Sequence, residues 1–158
     1  MTLDTAPVAE RIADKLFDAL KSAFEPEGVR VEAYRTEPLP TSHRPGIVFM
    51  DGQDENPPGS QGVIDEMGVD TIVRQWTVHA FVAESDDAQA RRMAGRMIAF
   101  AAKTVKAADI YSAGATDVTT SGEVIAPDDD AGVAGHYYGT VNFNVLYMTV
   151  EGDPFTAC

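Results

Sequence analysis

Residues 71–107 read TIVRQWTVHAFVAESDDAQARRMAGRMIAFAAKTVKA, a strand pattern followed directly by a helix pattern. Residues 71–83 are rich in β-branched and aromatic side chains, which predicts a long strand. Alternating positions of a strand point to opposite faces of a sheet. One face would hold Ile72, Trp76, Val78, Ala80 and Val82, and the other Val73, Gln75, Thr77, His79 and Phe81.

Residues 86–108 predict an amphipathic helix. Ser85 is the expected N-cap, and Asp86 and Asp87 follow at the positive end of the helix dipole. The apolar side would contain Ala90, Met93, Ala94, Met97, Ile98, Ala101 and Val105. The opposite side, an arc of about 140°, would carry Arg91, Arg92, Arg96, Lys103 and Lys106. We expect the Met and Phe run (Met93, Met97 and Phe100) to belong to the core rather than to a ligand groove.

The flanking segments complete an α+β pattern. Residues 5–24 predict a second amphipathic helix, with Thr5 as its cap and Pro7 in its first turn. Further strands are expected at 29–35, 47–50, 116–125 and 137–150. The order α-β-β-β-α-β-β predicts a mainly antiparallel sheet of four to five strands with two helices on one face. Residues 1–158 would form a single domain, with a long loop at 51–70 and a flexible tail at 151–158.

Composition excludes several classes of protein. The chain has 158 residues, of which 44% are hydrophobic, and 12 basic residues face 25 acidic ones, a net charge of −13. The hydrophobic fraction is too high for a disordered acidic tail, and no run reaches the length of a membrane span. The N-terminus lacks the features of a signal peptide. The only cysteine is Cys158, which excludes an intrachain disulfide and indicates a reducing compartment.

No pattern of residues points to catalysis, a metal or a cofactor. His43, His79 and His136 lack the paired spacing that zinc ligands need. The glycines of the 52–68 loop form no phosphate-binding motif, and no serine lies in G-x-S-x-G. The acidic run 128–130 lacks the calcium-loop pattern and is expected to be a solvated turn. We therefore predict a protein that is not an enzyme and holds no cofactor.

The charge is distributed unevenly along the chain. Residues 51–90 hold one arginine and nine acids, residues 91–108 hold five basic residues and no acid, and residues 109–158 hold eight acids and no Lys or Arg. Nucleic-acid binding and anionic membrane surfaces both need cations, so neither is expected. The basic side of helix 86–108, which we call the basic stripe, consists of Arg91, Arg92, Arg96, Lys103 and Lys106. It is either a solvated face or a surface that docks on acidic residues of another copy. Complementary but different surfaces give head-to-tail contacts, which close into rings when the rotation permits.

The order of elements resembles a known family. An N-terminal amphipathic helix, two short strands and a long Pro/Gly loop precede TIVRQWTVHAFVAE, DDAQARRMAGRMIAFAAKTV and finally YYGTVNFNVLYMTVEGD. This resembles the tail terminator, or tail completion, proteins of long-tailed bacteriophages and gene transfer agents. The resemblance implies a structural protein of the virion tail, assembled in the host cytoplasm. It also implies a homohexameric ring that caps the tail tube, stops its polymerisation and joins it to the head–tail connector, while DNA passes through without specific binding.

Two sets of residues follow as candidates from this interpretation. The subunit interface would contain Arg91, Arg92, Arg96, Lys103 and Trp76, although Trp76 also fits the core. Acids that line the lumen, and so repel phosphates, or that face a partner would be Asp54, Glu55, Asp65, Glu66, Asp117, Asp128, Asp129 and Asp130. The alternatives are a head-completion or connector ring, or a small soluble ligand-binding domain or enzyme with its site in the 52–70 loop.

Overall fold

The computed structural model describes residues 5–52, 68–132 and 134–158, apart from the side chain of Asp130. Within these residues, two α-helices and six strands make up the fold, together with short 3-10 turns. In chain order they are α1 (Val8–Phe24), β1 (Arg30–Ala33), β2 (Gly46–Asp51), β3 (Val69–Ala83), α2 (Asp87–Ala107), β4 (Ala115–Pro127), β5 (His136–Val150) and β6 (Asp153–Ala157). The predicted elements are all present, within a few residues of the expected bounds.

The strands form one sheet in the order β1-β2-β3-β5-β4, and β6 also pairs with β5. The predicted α+β class and mainly antiparallel sheet are confirmed, with β1 and β2 as the one parallel pair. The predicted strand number was too low, because residues 151–158 are not a flexible tail. After a turn at Gly152, β6 returns along β5, and the Cys158 amide donates to the Met148 carbonyl at 3.1 Å.

Both helices pack on the same face of the sheet, as predicted, and their apolar sides form one core with it. Trp76 and Val78 of β3 lie opposite Phe143 and Val141 of β5 in that core, and each of the four is at most 2% exposed. The buried side of α1 consists of Val8, Ile12, Ala13, Leu16, Leu20 and Phe24. The buried side of α2 consists of Ala90, Ala94, Met97, Ile98, Ala101 and Val105.

The two helix starts differ slightly from the prediction. In α2 the N-cap is Asp86 rather than Ser85, because the Asp86 carboxylate accepts from the Gln89 amide at 2.8 Å. A carboxylate at this position also interacts favourably with the helix dipole. In α1 the N-cap is Pro7 rather than Thr5, and it offers no side-chain cap. The shift follows from the fixed φ of proline, which lies at −58° with an extended ψ of 159° just before the helix.

Helix α2 lies unusually close to the sheet at Gly139 of β5. A Cβ at this position would lie 2.7 Å from Cγ1 of Ile98. Real Cβ atoms do not approach other carbon atoms so closely, so any larger residue would force the helix or Ile98 to move. The missing side chain of Gly139 therefore leaves room for Ile98 of α2 to pack on the sheet.

Among the residues that the structure describes, no helix covers the other face of β3 and β5, and no charged side chain lies at its centre. Three side-chain pairs cross between the strands there: Gln75 with Asn144 at 3.1 Å, Thr77 with Asn142 at 2.8 Å, and His79 with Thr140 at 3.0 Å. Gln75 and Thr77 are only 5% and 1% exposed. The three pairs, which we call the polar ladder, therefore include two buried hydrophilic residues, and their other four members are half-buried.

Candidate functional site

The exposed face of α2 carries the predicted basic stripe, formed by Arg91, Arg92, Arg96, Lys103 and Lys106. All five side chains are exposed, as the helical periodicity predicts. None of them forms a salt bridge or side-chain hydrogen bond with the residues that the structure describes. The only acid of the helix is Asp87, in its first turn. The stripe is therefore a strip of positive charge that nothing in the described protomer neutralises.

An apolar groove, the α1 groove, runs along one side of the stripe between α1 and α2. Its volume is about 400 Å³, and Arg96 and Glu27 supply its charges. Phe100 is 36% exposed and packs edge-on against the ring of Phe24 at 4.9 Å. The remaining lining residues are Val29, Met93 and Met97. The expectation that the Met and Phe run belongs wholly to the core is thus wrong for Phe100, whose position next to Arg96 turns its ring outward.

A second groove, the β4 groove, lies on the other side of α2. It has a volume of about 710 Å³ between the second half of α2 and the edge strand β4. Lys103 and Lys106 line its helix wall, and Ser121 and Gly122 lie on its strand wall. Ile98, Ala102 and Val141 supply apolar surface. Lys103, which the sequence assigned to the subunit interface, therefore faces a different groove from Arg96.

The predicted acidic residues do not form one surface. Asp117 and Asp129 are exposed, and the Asp117 carboxylate accepts from the amide of Val118 at 2.8 Å. Asp130 is part of a short helical turn, Asp129–Ala131. The other predicted acids, Asp54, Glu55, Asp65 and Glu66, lie outside the described residues.

The prediction of a solvated acidic turn at residues 128–130 is wrong for Asp128, which is buried. It is 8% exposed, and its carboxylate lies 2.5 Å from Nη1 of Arg44, whose side chain is only 3% exposed. A buried carboxylate needs such a partner, because an isolated charge is costly to remove from water. Asp128 is therefore not available to line a lumen or to face a partner.

Arg44 is a structural residue that the sequence did not reveal. Its guanidinium donates twice to the Leu39 carbonyl, at 3.1 and 3.0 Å, and once to Nδ1 of His136 at 3.2 Å. It also lies 5.1 Å from the ring centre of Phe81. These contacts fasten the loop between β1 and β2 to the turn between β4 and β5. The partners are separated by most of the chain, so no local pattern could have connected them.

Trp76 belongs to the core of the protomer and not to its surface. Its side chain is 1% exposed, and the guanidinium of Arg74 lies 5.6 Å from its ring centre. The sequence left core and interface open for this residue, because a large aromatic side chain suits both. Its burial beneath the helices means that Trp76 supports the fold, whereas Phe100 takes the exposed aromatic position next to the stripe.

The described residues contain no group of three or more His, Cys, Asp or Glu side chains that could hold a metal ion. Within the same ranges, no helix is long and apolar enough to cross a membrane. His79 lies in the polar ladder, where burial lowers the pKa of its imidazole. Its bond to the hydroxyl of Thr140 gives it a structural partner, as expected for a histidine on a strand face.

The chain matches no protein-family model, and a comparison with curated proteins found no relative. Function must therefore be inferred from the molecule itself. The most informative surface is α2, where a basic stripe lies between an apolar groove with an exposed aromatic ring and a second groove at the edge of the sheet.

Proposed function

We propose that this protein is a tail terminator of a long-tailed bacteriophage or gene transfer agent. In this role it is a structural, non-enzymatic subunit of a homohexameric ring. The ring caps the tail tube, stops its polymerisation and joins it to the head–tail connector. The observation that carries the proposal is the unneutralised basic stripe beside the α1 groove, in a chain whose net charge is −13.

The distribution of charge favours a head-to-tail contact. If two copies met through the same face of α2, both basic stripes would face each other, and like charges across an interface are unfavourable. The exposed acids Asp117 and Asp129 lie on β4 and in the turn that follows it, on segments other than α2. When the stripe of one copy contacts an acidic surface of the next, the pair still has one free acidic surface at one end and one free stripe at the other. Repetition of such a contact closes a ring when the rotation between neighbouring copies permits it.

The α1 groove supplies the apolar part of the proposed contact. Phe100 and Met93 lie beside Arg96, and aromatic and arginine side chains contribute most strongly to protein interfaces. The arginines would set the register and the rate of association, while burial of the groove would supply most of the affinity. We therefore centre the subunit contact on Arg92, Arg96 and Phe100.

The overall negative charge suits a ring through which DNA must move. A lumen lined by carboxylates repels phosphates over about 8 Å at physiological ionic strength, so DNA would pass without being held. Residues 109–158 contain no Lys or Arg, and Asp117 and Asp129 are exposed within them. These two acids are our candidates for the lumen or for the surface that meets the tube or the connector.

A charge reversal tests the contact. The variant Arg92→Glu/Arg96→Glu should remain folded, because both side chains are exposed and unpaired, with a stability change within about 0.5 kcal/mol. It should nevertheless fail to form the rings that the unmodified protein forms. Circular dichroism measures the fold, and analytical ultracentrifugation with negative-stain microscopy measures the assembly.

The control is Lys15→Glu/Lys21→Glu, which changes the net charge equally at two exposed positions of α1 and removes only the exposed Lys21–Glu25 pair at 4.0 Å. It should assemble normally. If rings persist in the Arg92/Arg96 variant, the stripe is an ordinary solvated surface and not the subunit contact. If the unmodified protein stays monomeric at high micromolar concentration, the ring itself is contradicted. A connector ring would assemble in the same way, so the tail role needs a second assay, in which added protein halts the elongation of tail tubes.

A further inference from the structure

The outer edge of β4 is not paired with any strand of the described residues. Strand β4 ends the sheet order and pairs with β5 on its inner side, and no described strand pairs with its outer side. Strand β6 pairs with β5 at Thr149 and Val150, beyond the point where β4 begins opposite Tyr147. It therefore leaves the outer edge of β4 uncovered. Residues 121–124 of that edge are exposed. An unpaired edge offers a row of N–H and C=O groups to any extended segment.

The β4 groove lies directly beside this edge. Its helix wall comes from α2, its strand wall consists of residues 120–123, and Val141 of β5 contributes apolar surface. A strand that paired with β4 could place alternate side chains in the groove against α2. A sheet edge next to a helix-walled groove is the arrangement by which several domains capture an extended peptide. The main chain supplies affinity in such sites, and the groove selects the side chains.

The charge of the groove selects the chemistry of the occupant. Lys103 and Lys106 are exposed on the helix wall, form no ion pair with described residues, and outnumber Glu123, the acid on the strand wall. From Arg91 onward α2 contains no acid. Carboxylates on the side of the added strand that faces α2 would therefore be favoured there.

A second copy of the chain is a poor candidate for this occupant. Pairing of two β4 edges would bring Asp117 and Glu123 of both copies into one ladder, and like charges on neighbouring strands are destabilising. The bulge between Ser121 and Val124, with Gly122 at φ +63°, also bends the edge. Bulges of this kind discourage indiscriminate pairing between long, flat strands.

We propose that the outer edge of β4 and the β4 groove form an acceptor site for an extended acidic segment of a partner protein, which adds to the sheet next to β4. The site differs from the centre of the proposed ring contact, because Arg96 and Phe100 line the α1 groove whereas Lys103 and Lys106 line the β4 groove on the other side of α2. The inference does not depend on the proposed function.

Fluorescence anisotropy with a synthetic peptide tests this site on the full chain. The probe is a fluorescein-labelled peptide that alternates valine and glutamate, flanked by threonines. We expect saturable binding, weakened about tenfold when glutamine replaces glutamate in the peptide. The same peptide with N-methyl groups on alternate amides should not bind, because it loses the backbone N–H groups that would donate to β4. Its side chains are unchanged, so it separates backbone pairing from side-chain binding. Hydrogen exchange should show protection of residues 119–125 when the peptide is bound.

Two variants separate this site from the ring contact. Lys103→Glu/Lys106→Glu should lose peptide binding, while Arg92→Glu/Arg96→Glu and the control Lys15→Glu/Lys21→Glu should retain it whatever their state of assembly. The proposal is overturned if the N-methylated peptide binds as well as the parent, or if reversal of Lys103 and Lys106 leaves binding unchanged. It is also overturned if the parent peptide does not bind at millimolar concentration, or if hydrogen exchange shows β4 already protected by a second copy.

Discussion

The two faces of the central strands β3 and β5 both contain buried residues of β3, but these are buried by different means. On the helix-covered face, Trp76 packs beside Phe143 and Val78 beside Val141 beneath α1 and α2. On the opposite face, Thr77 is equally buried, yet its hydroxyl donates to the side-chain carbonyl of Asn142 at 2.8 Å. Apolar burial has no preferred direction, whereas the polar ladder needs each donor to meet its acceptor.

Because one face depends on apolar packing and the other on hydrogen bonds, the two faces should respond differently to mutation. A truncated apolar side chain loses its transfer free energy and leaves a cavity, so the cost grows with the volume removed. A buried hydrogen bond contributes only about 1 kcal/mol net, but a partner left alone costs its full desolvation. Single and double substitutions should therefore behave differently on the two faces.

The largest effect is expected on the helix-covered face. Trp76→Ala should lower the free energy of unfolding by about 4 kcal/mol, because the indole is 1% exposed in the centre of the core. Trp76→Phe, which keeps most of the apolar volume, should cost much less. Urea unfolding followed by circular dichroism measures both variants. A loss below about 1 kcal/mol for Trp76→Ala would show that this face does not depend on close packing.

A smaller effect with a characteristic pattern is expected in the polar ladder. Thr77→Val should cost about 1–2 kcal/mol, because it leaves the carbonyl of Asn142 without its donor. The double variant Thr77→Val/Asn142→Leu should recover part of that loss, since neither polar group then remains. Thr119→Val, at an exposed position of β4, is the control and should change stability by less than about 0.5 kcal/mol. Additive losses in the double-mutant cycle would contradict a paired ladder.

The smallest effect is a dependence on pH at His79. Burial lowers the pKa of its imidazole in the folded protein. Below about pH 6.5 the unfolded chain therefore binds a proton more readily than the folded protein does, so this contribution to stability is lost as the pH falls. His79→Gln should remove that part of the acid sensitivity, by about 1.4 kcal/mol for each unit of pKa depression. Unfolding curves at pH 7.5 and 5.0 give the comparison, and parallel losses in both proteins would exclude His79 as a source.

Much of the fold could be predicted because periodicity is a local property. The apolar positions of α1 and α2 and the long strands β3 and β5 follow from spacing in the sequence. Strand β6 was missed because it has only five residues, contains Pro154 and depends on pairing with the end of β5. The burial of Thr77 was not predicted either, since a polar residue on an alternating strand normally faces solvent.

The candidate surface could be predicted only in part, for the same reason. The basic stripe is a local feature of one helix, and the structure shows its residues exposed as expected. The α1 and β4 grooves arise from elements that are distant in the chain. The ion pair between Arg44 and Asp128 likewise depends on tertiary structure, so an acidic run that suggests a solvated turn contains a buried carboxylate.

Gly139 gives the position of α2 a consequence beyond the protomer. A single added methyl group at this residue would meet Ile98, and if Ile98 kept its place the helix would tilt or rise relative to the strands. In a closed circle of copies joined through α2, a small angular error at one joint recurs at every joint. The last copy would then miss the first, and the chain of subunits would grow as a spiral. The absence of one carbon atom in the middle of a strand would thus decide between a finite assembly and an endless one.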